Sequence, residues 1–376
     1  MTDTRQPSKL QPRAKPAAAT PKPARLAIID CDIHPARTPG EVEHYMSPRW
    51  REHARTIGQR MPLPYMGTNQ YPRMSAGNGM RMDAFPPGGG APGSSLDFMQ
   101  RQHLDANGVE YGLLQPLSPG STTMDQDFGR ALCSALNDWQ IDKWCRPEPR
   151  LKASICVTQE EPAAAIAEIE LRVGDKAFVQ VAIPPRSIEP LGRRRYWPLF
   201  EAIEHHKLPV AMHTHAYGPY ANGASGWPSF YIEDHYAWVN SMQTTISSLI
   251  FEGVLDRFPG LRFVLVEGGF GWVPAFGWRM DNHWARMKSE VPQLKRPPSE
   301  VLREHFWFTT QPMEEPEKPE HLIDIIDGIG ADRLMFSTDY PHWDFDDPKW
   351  AFKVKLPDAT RGAIFRENAK ALYGFD

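Results

Sequence analysis

The stretch Leu208-Pro-Val-Ala-Met-His213 is a short, almost continuously apolar run that ends in a side chain able to bind a metal. The stretch Leu261-Arg-Phe-Val-Leu-Val-Glu267 has the same form and ends in a carboxylate. Runs of this length predict strands, and their lack of polar alternation predicts strands covered on both faces, as in a parallel sheet. The charged or imidazole groups that follow them indicate a site at one edge of that sheet.

Similar runs recur along the chain and alternate with helical patterns. The predicted strands span residues 26–30, 109–115, 151–157, 177–183, 208–213, 261–267, 306–309 and 333–337. The predicted helices span residues 95–106, 125–145, 161–172, 196–207, 233–254, 272–289, 319–328 and 358–372. This alternation predicts an α/β protein with a (β/α)8 TIM-like barrel. An open doubly wound sheet is the alternative, but no Gly-rich phosphate loop follows the first strand.

The chain divides into regions of different composition. Residues 1–25 are rich in Pro, Ala, Lys and Arg with almost no large apolar residue, which predicts a flexible tail. Residues 26–376 predict a single barrel domain, because α/β barrels of this length often form one domain. Residues 35–93 are rich in Pro, Gly, Met and Arg, and so long a stretch after the first strand predicts a lid-like insertion over the site.

Composition narrows the expected partners and location. The chain has 376 residues and a net charge of −4, so nucleic acid is not an expected partner. The four cysteines have no CxxC spacing, which predicts reduced thiols. No run reaches ~18 apolar residues, and the N-terminus lacks an apolar stretch, so neither a membrane span nor a secretory signal is expected. We therefore expect a cytoplasmic protein that acts on a small molecule.

Side chains able to bind a metal follow four of the predicted strands, at the ends where a barrel carries its catalytic groups. They are Asp32 and His34 after the first strand (with Asp30 in register), His213 and His215 after the fifth, Glu267 after the sixth, and Asp339 and His342 after the eighth. Each has a structural explanation when taken alone, such as a salt bridge from Glu267 to Arg262 or Arg279. Together, four such strand ends predict a metal site. His235, near the start of a helix, is a further residue that could reach the cleft.

These motifs resemble the amidohydrolase superfamily, in particular the branch that includes aminocarboxymuconate-semialdehyde decarboxylase. The resemblance spans about residues 26–374 and also involves Ser337-Thr-Asp-Tyr-Pro-His342 and Glu367-Asn-Ala-Lys-Ala-Leu-Tyr373. It implies a (β/α)8 barrel in which a divalent metal is held by Asp32, His34, His213 and Asp339. Since barrels of this branch are commonly dimers, it also implies a homo-oligomer. The long insertion, the Trp-rich helix at 272–289 and the N-terminal tail suggest the alternative of a hetero-oligomer with a related barrel chain.

Glu267 departs from the family pattern, which usually has a histidine at this strand end as the general acid/base. The carboxylates and histidines together exceed what one zinc needs. Zinc, manganese and iron are all candidate metals, and a carboxylate-rich set suits manganese and iron, with one or two ions per chain. Glu267 and His342, with His235 as a further donor, are the candidate ligands of a second ion.

The leading hypothesis is a metal-dependent hydrolase that cleaves an amide, lactone or related bond with metal-activated water. Glu267 or His342 would be the catalytic residue that moves the proton. The alternatives are a dinuclear Mn/Fe or di-iron oxygenase, a non-oxidative decarboxylase, and a non-catalytic partner of a related chain. A decarboxylase needs a cation for the substrate carboxylate, and Arg81 or Arg73 in the insertion is the candidate.

Overall fold

The computed structural model describes residues 26–57, 79–117, 119–121, 123–213, 223, 226 and 228–376. The predicted tail at 1–25 lies outside the described residues, as does His215. The strands are β1 Ile28–Ile33, β2 Val109–Leu114, β3 Leu151–Cys156, β4 Phe178–Ala182, β5 Val210–Met212, β6 Phe263–Leu265, β7 Phe306–Thr309 and β8 Leu334–Met335. Each predicted strand overlaps one of these.

The strands form one parallel sheet in chain order, from β1 to β8. The sheet closes because β1 also meets the end of β8. Cys31 N donates to Phe336 O at 3.0 Å, and His34 N donates to Tyr340 O at 2.8 Å. β1 and β4 are buried along their whole length, as expected when side chains fill the interior of a barrel and helices cover the outside. The predicted (β/α)8 barrel is confirmed.

Helices follow the strands and cover the sheet. They are α1 Pro48–Thr56, α2 Leu96–Met99, α3 Gln126–Trp139, α4 Pro162–Arg172, α5 Trp197–His205, α6 Tyr231–Phe251, α7 Val254–Arg257, α8 Val273–Met287, α9 Pro298–His305, α10 His321–Ile329, α11 Asp358–Gly362 and α12 Asn368–Tyr373. π-Helical turns extend α2 to Asp105 and α3 to Cys145, so the predicted helices there are continuous. Among the helices of the described residues, none is both long and apolar enough to span a membrane.

β8 is shorter than the strand predicted at 333–337, because the residues after Met335 hydrogen-bond outside the ladder. Phe336 N donates to Ile364 O at 2.9 Å. Thr338 N donates to Asp30 Oδ1 at 3.0 Å, which crosses to β1. The regular ladder has therefore ended before Asp339, and the chain meets β1 again at the bridge between Ile33 and Tyr340.

The described part of the insertion after β1 lies over the end of β8. Met80 forms an antiparallel bridge with His342. Arg81 N donates to Pro341 O at 3.1 Å, and Trp343 N donates to Gly79 O at 2.9 Å. The insertion thus contacts the segment that carries two of the predicted site residues. Residues 58–78 lie outside the described residues, and the lid-like role stays a prediction.

Candidate metal centre

Two of the predicted donors come from the end of β1. Asp32 and His34 are both buried. His34 Nδ1 donates to Gln115 O at 2.7 Å, which orients the ring and leaves Nε2 for another partner. Neither oxygen of Asp32 has a hydrogen-bond partner among the described residues, and Nε2 of His34 faces two carboxylate oxygens, Asp32 Oδ1 at 3.2 Å and Asp339 Oδ1 at 2.7 Å. Buried polar atoms are normally hydrogen-bonded, so these atoms fit the role of metal donors.

The ends of β5, β6 and β8 bring further donors to the same place. His213 Nε2 lies 2.8 Å from Glu267 Oε2 and 3.7 Å from Asp32 Oδ2. Asp339 Oδ1 lies 2.7 Å from His34 Nε2. Glu267 and Asp339 both have left-handed backbone conformations, with φ of 58° and 59°. Such conformations cost about 1–3 kcal/mol each and cluster at functional sites.

His342 joins this group through Asp339. Its Nδ1 lies 2.5 Å from Asp339 Oδ1, and its ring centroid lies 4.5 Å from that of His34. Donor atoms lie within 4.8 Å of one another in two overlapping groups, which are Asp32–His34–His213–Glu267 and His34–Asp339–His342. The structure therefore brings together all six residues that the sequence assigns to the metal.

The electrostatics of these groups fit a cation. Burial raises the pKa of Asp32 and of Glu267 well above their ordinary values, and nearby carboxylates raise them further. Burial acts in the same direction on Asp339, but His342 and His34 outweigh it and hold the pKa of Asp339 below its usual range. A divalent ion would supply the positive charge that the buried carboxylates lack. Carboxylate and imidazole donors together suit manganese, iron or zinc.

A third donor group lies beside the first and contains a residue that the sequence did not predict. His235 Nε2 lies 3.0 Å from Asp344 Oδ2 and 4.0 Å from Glu267 Oε1. The donor atoms of these three residues lie within 4.8 Å of one another. The sequence signal for Asp344 is weak, because it stands next to Asp346 and Asp347 and follows the Ser337–His342 motif.

Asp30, in register with Asp32, has a structural role. Its Oδ2 accepts hydrogen bonds from Thr338 Oγ1 at 2.6 Å and His103 Nε2 at 2.7 Å. Its Oδ1 accepts from the backbone N–H of Thr338 and Asp32. The carboxylate therefore joins β1 to the segment after β8, and its oxygens are already occupied.

The contacts of the arginines in the structure differ from those considered from the sequence. Glu267 makes no ion pair with Arg262 or Arg279 among the described residues, and Arg262 donates instead to Leu372 O at 3.1 Å. Arg81 makes a bidentate pair with Asp83, at 2.9 and 2.7 Å, and is therefore already neutralised. Arg73 lies outside the described residues.

Two cavities adjoin the donors. The larger, of 570 Å³, is lined by Glu267 and His235 together with Trp238 and Trp272. The smaller cavity has a volume of 220 Å³. Its lining includes His34, which is one of the predicted metal ligands, and the cation Arg37. Apolar side chains complete it, among them Met80, Leu136 and Trp139. Both fit a small, partly apolar molecule.

Comparison with known proteins identifies similar chains. The profile of the family described as Amidohydrolase matches residues 29–375. Gamma-resorcylate decarboxylase from Polaromonas sp. (strain JS666 / ATCC BAA-500) is 27% identical over 299 residues, which cover 74% of this chain and 88% of that protein. The structure of 5-carboxyvanillate decarboxylase from Sphingomonas paucimobilis has a TM-score of 0.65 at 22% identity and covers 94% of this chain and 100% of its own. A dihydroxybenzoic acid decarboxylase from Polaromonas sp. JS666 with bound manganese has a TM-score of 0.64 at 20% identity, covering 93% and 97%.

Proposed function

Because this chain belongs to the amidohydrolase family, we propose that it is a metal-dependent decarboxylase that removes CO2 from a small aromatic acid without oxidation. The observation that carries the proposal is that Arg37 and the metal-type residue His34 line one cavity. The relatives named gamma-resorcylate decarboxylase support the same reaction. This replaces hydrolysis as the leading hypothesis, since the similar proteins favour the decarboxylase that the sequence offered as an alternative.

Arg37 is the cation best situated to hold the carboxylate of a substrate. Its side chain makes no hydrogen bond or ion pair with the residues described. Burial lowers the pKa of Arg37 more than the neighbouring Glu43 raises it. The Arg37 side chain is half-buried, and a carboxylate is the ligand that the planar donors of a guanidinium match best.

The walls of this cavity suit an aromatic ring. Met80, Leu136 and Trp139 contribute apolar surface, and Trp139 is only 1% exposed. A flat ring would lie against these walls while its polar groups face Arg37 and His34. The expected substrate class is therefore a hydroxylated aromatic acid of one ring.

The reaction needs one proton for each CO2 released. A proton is added to the ring carbon that carries the carboxylate, the carbon–carbon bond breaks, and its electron pair restores the aromatic ring. His342 is the preferred donor, because Asp339 holds its Nδ1 and raises its pKa although burial lowers it. Glu267 lines the larger cavity and is the second candidate donor, for a substrate that extends there. Asp32, His34, His213 and Asp339 would hold a divalent ion, with manganese favoured by the similar decarboxylase structure, and the ion would supply Lewis-acid polarisation of a substrate oxygen.

An oxygenase with two metals is the second candidate function. The feature that favours it is the acidic pair of Glu267 and Asp344 on either side of His235. The two reactions differ in their need for oxygen, since decarboxylation releases CO2 under nitrogen and an oxygenase is inactive there.

The test is to incubate manganese-loaded protein under nitrogen with hydroxybenzoates, including 2,6-dihydroxybenzoate and 5-carboxyvanillate, and to measure CO2 and arene together. We expect equal amounts of both. Arg37→Gln should raise KM by roughly 10- to 100-fold, because a charge-assisted hydrogen bond contributes about 1.5–3 kcal/mol. Arg81→Gln is the matched control, and its KM should stay unchanged because Asp83 already pairs with Arg81. Turnover that requires oxygen, or equal KM values for both variants, would contradict the proposal.

A further inference from the structure

We propose that the cleft binds a second divalent cation, held by His235, Glu267 and Asp344, beside the cation assigned to Asp32, His34, His213 and Asp339. The first cation is taken from the proposed function, and the second cation is argued from the structure alone. This assignment differs from the expectation drawn from the sequence, which gave the second cation Glu267 and His342, with His235 as a further donor. In the structure, His342 belongs to the group around Asp339, and Asp344 takes its place.

The two oxygens of Glu267 face different groups. Oε2 lies 2.8 Å from His213 Nε2, and Oε1 lies 4.0 Å from His235 Nε2. A carboxylate in this orientation can give one oxygen to each of two cations. Two-metal sites generally have their ions about 3.5–4 Å apart, a separation that a bridging carboxylate spans.

The separations within the second group match those of ligands on one ion. Nitrogen and oxygen donors lie about 2.0–2.2 Å from a small divalent metal, so neighbouring donors are roughly 3–4 Å apart. His235 Nε2 lies 3.0 Å from Asp344 Oδ2 and 4.0 Å from Glu267 Oε1. Three donors of this kind, with open positions toward the larger cavity, form an incomplete coordination shell that water or substrate would complete.

The charge of the site also calls for two dications. Asp32, Asp339 and Glu267 are at most 3% exposed, and the side chain of Asp344 is 12% exposed. The ion pairs that these four carboxylates make within the described residues are all with histidines. Histidines that bind a metal are neutral, so one dication matches the charge of two ionised carboxylates and two dications match that of all four.

Gln311 is an independent sign of a ligand at this position. It is fully buried, and its Nε2 donates to Asp344 Oδ2 at 2.9 Å. Its Oε1, in the same carboxamide, has no hydrogen-bond partner among the described residues. Gln311 Nε2 also lies 3.3 Å from Asp339 Oδ2, so one side chain orients a carboxylate of each group. Metal ligands are commonly held by an outer partner of this kind.

The experiment is a metal count on the full, tag-free chain. Protein stripped with a chelator is titrated with Mn²⁺ by calorimetry, and bound manganese is measured by mass spectrometry after gel filtration. We expect two equivalents for the wild type. Asp344→Asn and His235→Gln should each retain one, while the exposed Glu315→Gln, which also removes a carboxylate charge nearby, should retain two.

Electron paramagnetic resonance gives a second readout. Two Mn²⁺ ions bridged by Glu267 are magnetically coupled, and the signal should become that of isolated Mn²⁺ in Asp344→Asn. One equivalent in the saturated wild type, or two in both ligand variants, would overturn the second site. These outcomes can be told apart from a failure of the proposed function. Release of CO2 by protein that binds one manganese ion would contradict only the second site. Binding of two manganese ions without release of CO2 would contradict only the decarboxylase.

Discussion

The most demanding test of the structure is the replacement of Asp30, which binds no substrate or metal in the arrangement described. Its carboxylate accepts four hydrogen bonds, from Asp32 N, Thr338 N, Thr338 Oγ1 and His103 Nε2. Asp30 and His103 are both fully buried. Asp30→Ala would leave these donors facing a cavity.

The magnitude follows from the donors that lose their acceptor. The Thr338 hydroxyl can rotate to a new partner, but two backbone N–H groups and the His103 ring cannot. Each unsatisfied buried donor costs about 1–3 kcal/mol, and breaking a buried pair costs about 3–5 kcal/mol. We expect Asp30→Ala to lower the free energy of unfolding by about 4 kcal/mol. Asp30→Asn keeps one acceptor oxygen and should lose about 2 kcal/mol.

The assay is urea unfolding followed by tryptophan fluorescence, with excess chelator so that metal binding does not contribute. The dependence on urea should keep its slope, so that a shift of the midpoint reports stability. Asp127→Ala, at an exposed aspartate, is the control and should cost less than about 1 kcal/mol. Equal midpoints for the two alanine variants would refute the reasoning. A second effect should appear without chelator, as a loss of about 10- to 100-fold in metal affinity, because Asp30 positions the strand ends that carry Asp32.

Three further predictions concern other parts of the chain. Asp339→Ala should abolish metal binding and activity with an unchanged circular dichroism spectrum, and full metal content would contradict the role of the eighth strand end. Gly93→Ala should destabilise the fold by about 1–3 kcal/mol in thermal unfolding, since φ is +79° and the new Cβ would lie 2.5 Å from the backbone carbonyl oxygen of His34. Gly88→Ala is the control and should not destabilise the fold, because its new Cβ would meet open space. Hydrogen bonds from Arg150 lower the pKa of Glu148 from 4.5 to about 2, so Glu148→Gln should cost about 2 kcal/mol at pH 7. Because the pKa of Glu148 is depressed in the folded state, the difference in unfolding free energy between the wild type and Glu148→Gln should shrink as the pH falls from 4.5 toward 2. A difference that persists below pH 2 would contradict this role of Glu148.

Much of the fold is readable in the sequence because parallel strands buried on both faces must be apolar along their length. Runs such as Leu208–His213 and Leu261–Glu267 therefore mark strands, and their final residues mark the mouth of the barrel. This pattern predicts His213 and Glu267 at the ends of β5 and β6, and it also predicts Asp32 and Asp339 at the ends of their strands. Their side chains converge because a closed barrel brings every strand end to one face, whatever their separation in sequence.

Other residues depend on loop paths that no local pattern reveals. Asp344 is one of three acidic residues within four positions, and only the path after β8 brings it to His235. Arg37 follows β1 in a Pro-rich segment, and it lines a cavity with Met80 and Pro92, which stand more than 40 residues later in the same insertion. Arg81 lies in the same Pro-rich insertion, but its guanidinium pairs with Asp83, two residues further along the chain. The sequence offered Arg81 or Arg73, and the proposal of Arg37 instead depends on ion pairing that only the folded geometry decides.

The sequence by itself determined the barrel and the chemical type of its mouth, since apolar periodicity and strand-end polarity are properties of contiguous residues. Only the tertiary structure decided what each polar group does. Asp30 and Asp32 are two residues apart on the same strand, yet the carboxylate of Asp30 is saturated by hydrogen bonds, including two from Thr338, and that of Asp32 has no hydrogen-bond partner within the described part of the chain. Their difference comes from which residues of β8 and the following loop reach β1, and that register exists only once the barrel has closed.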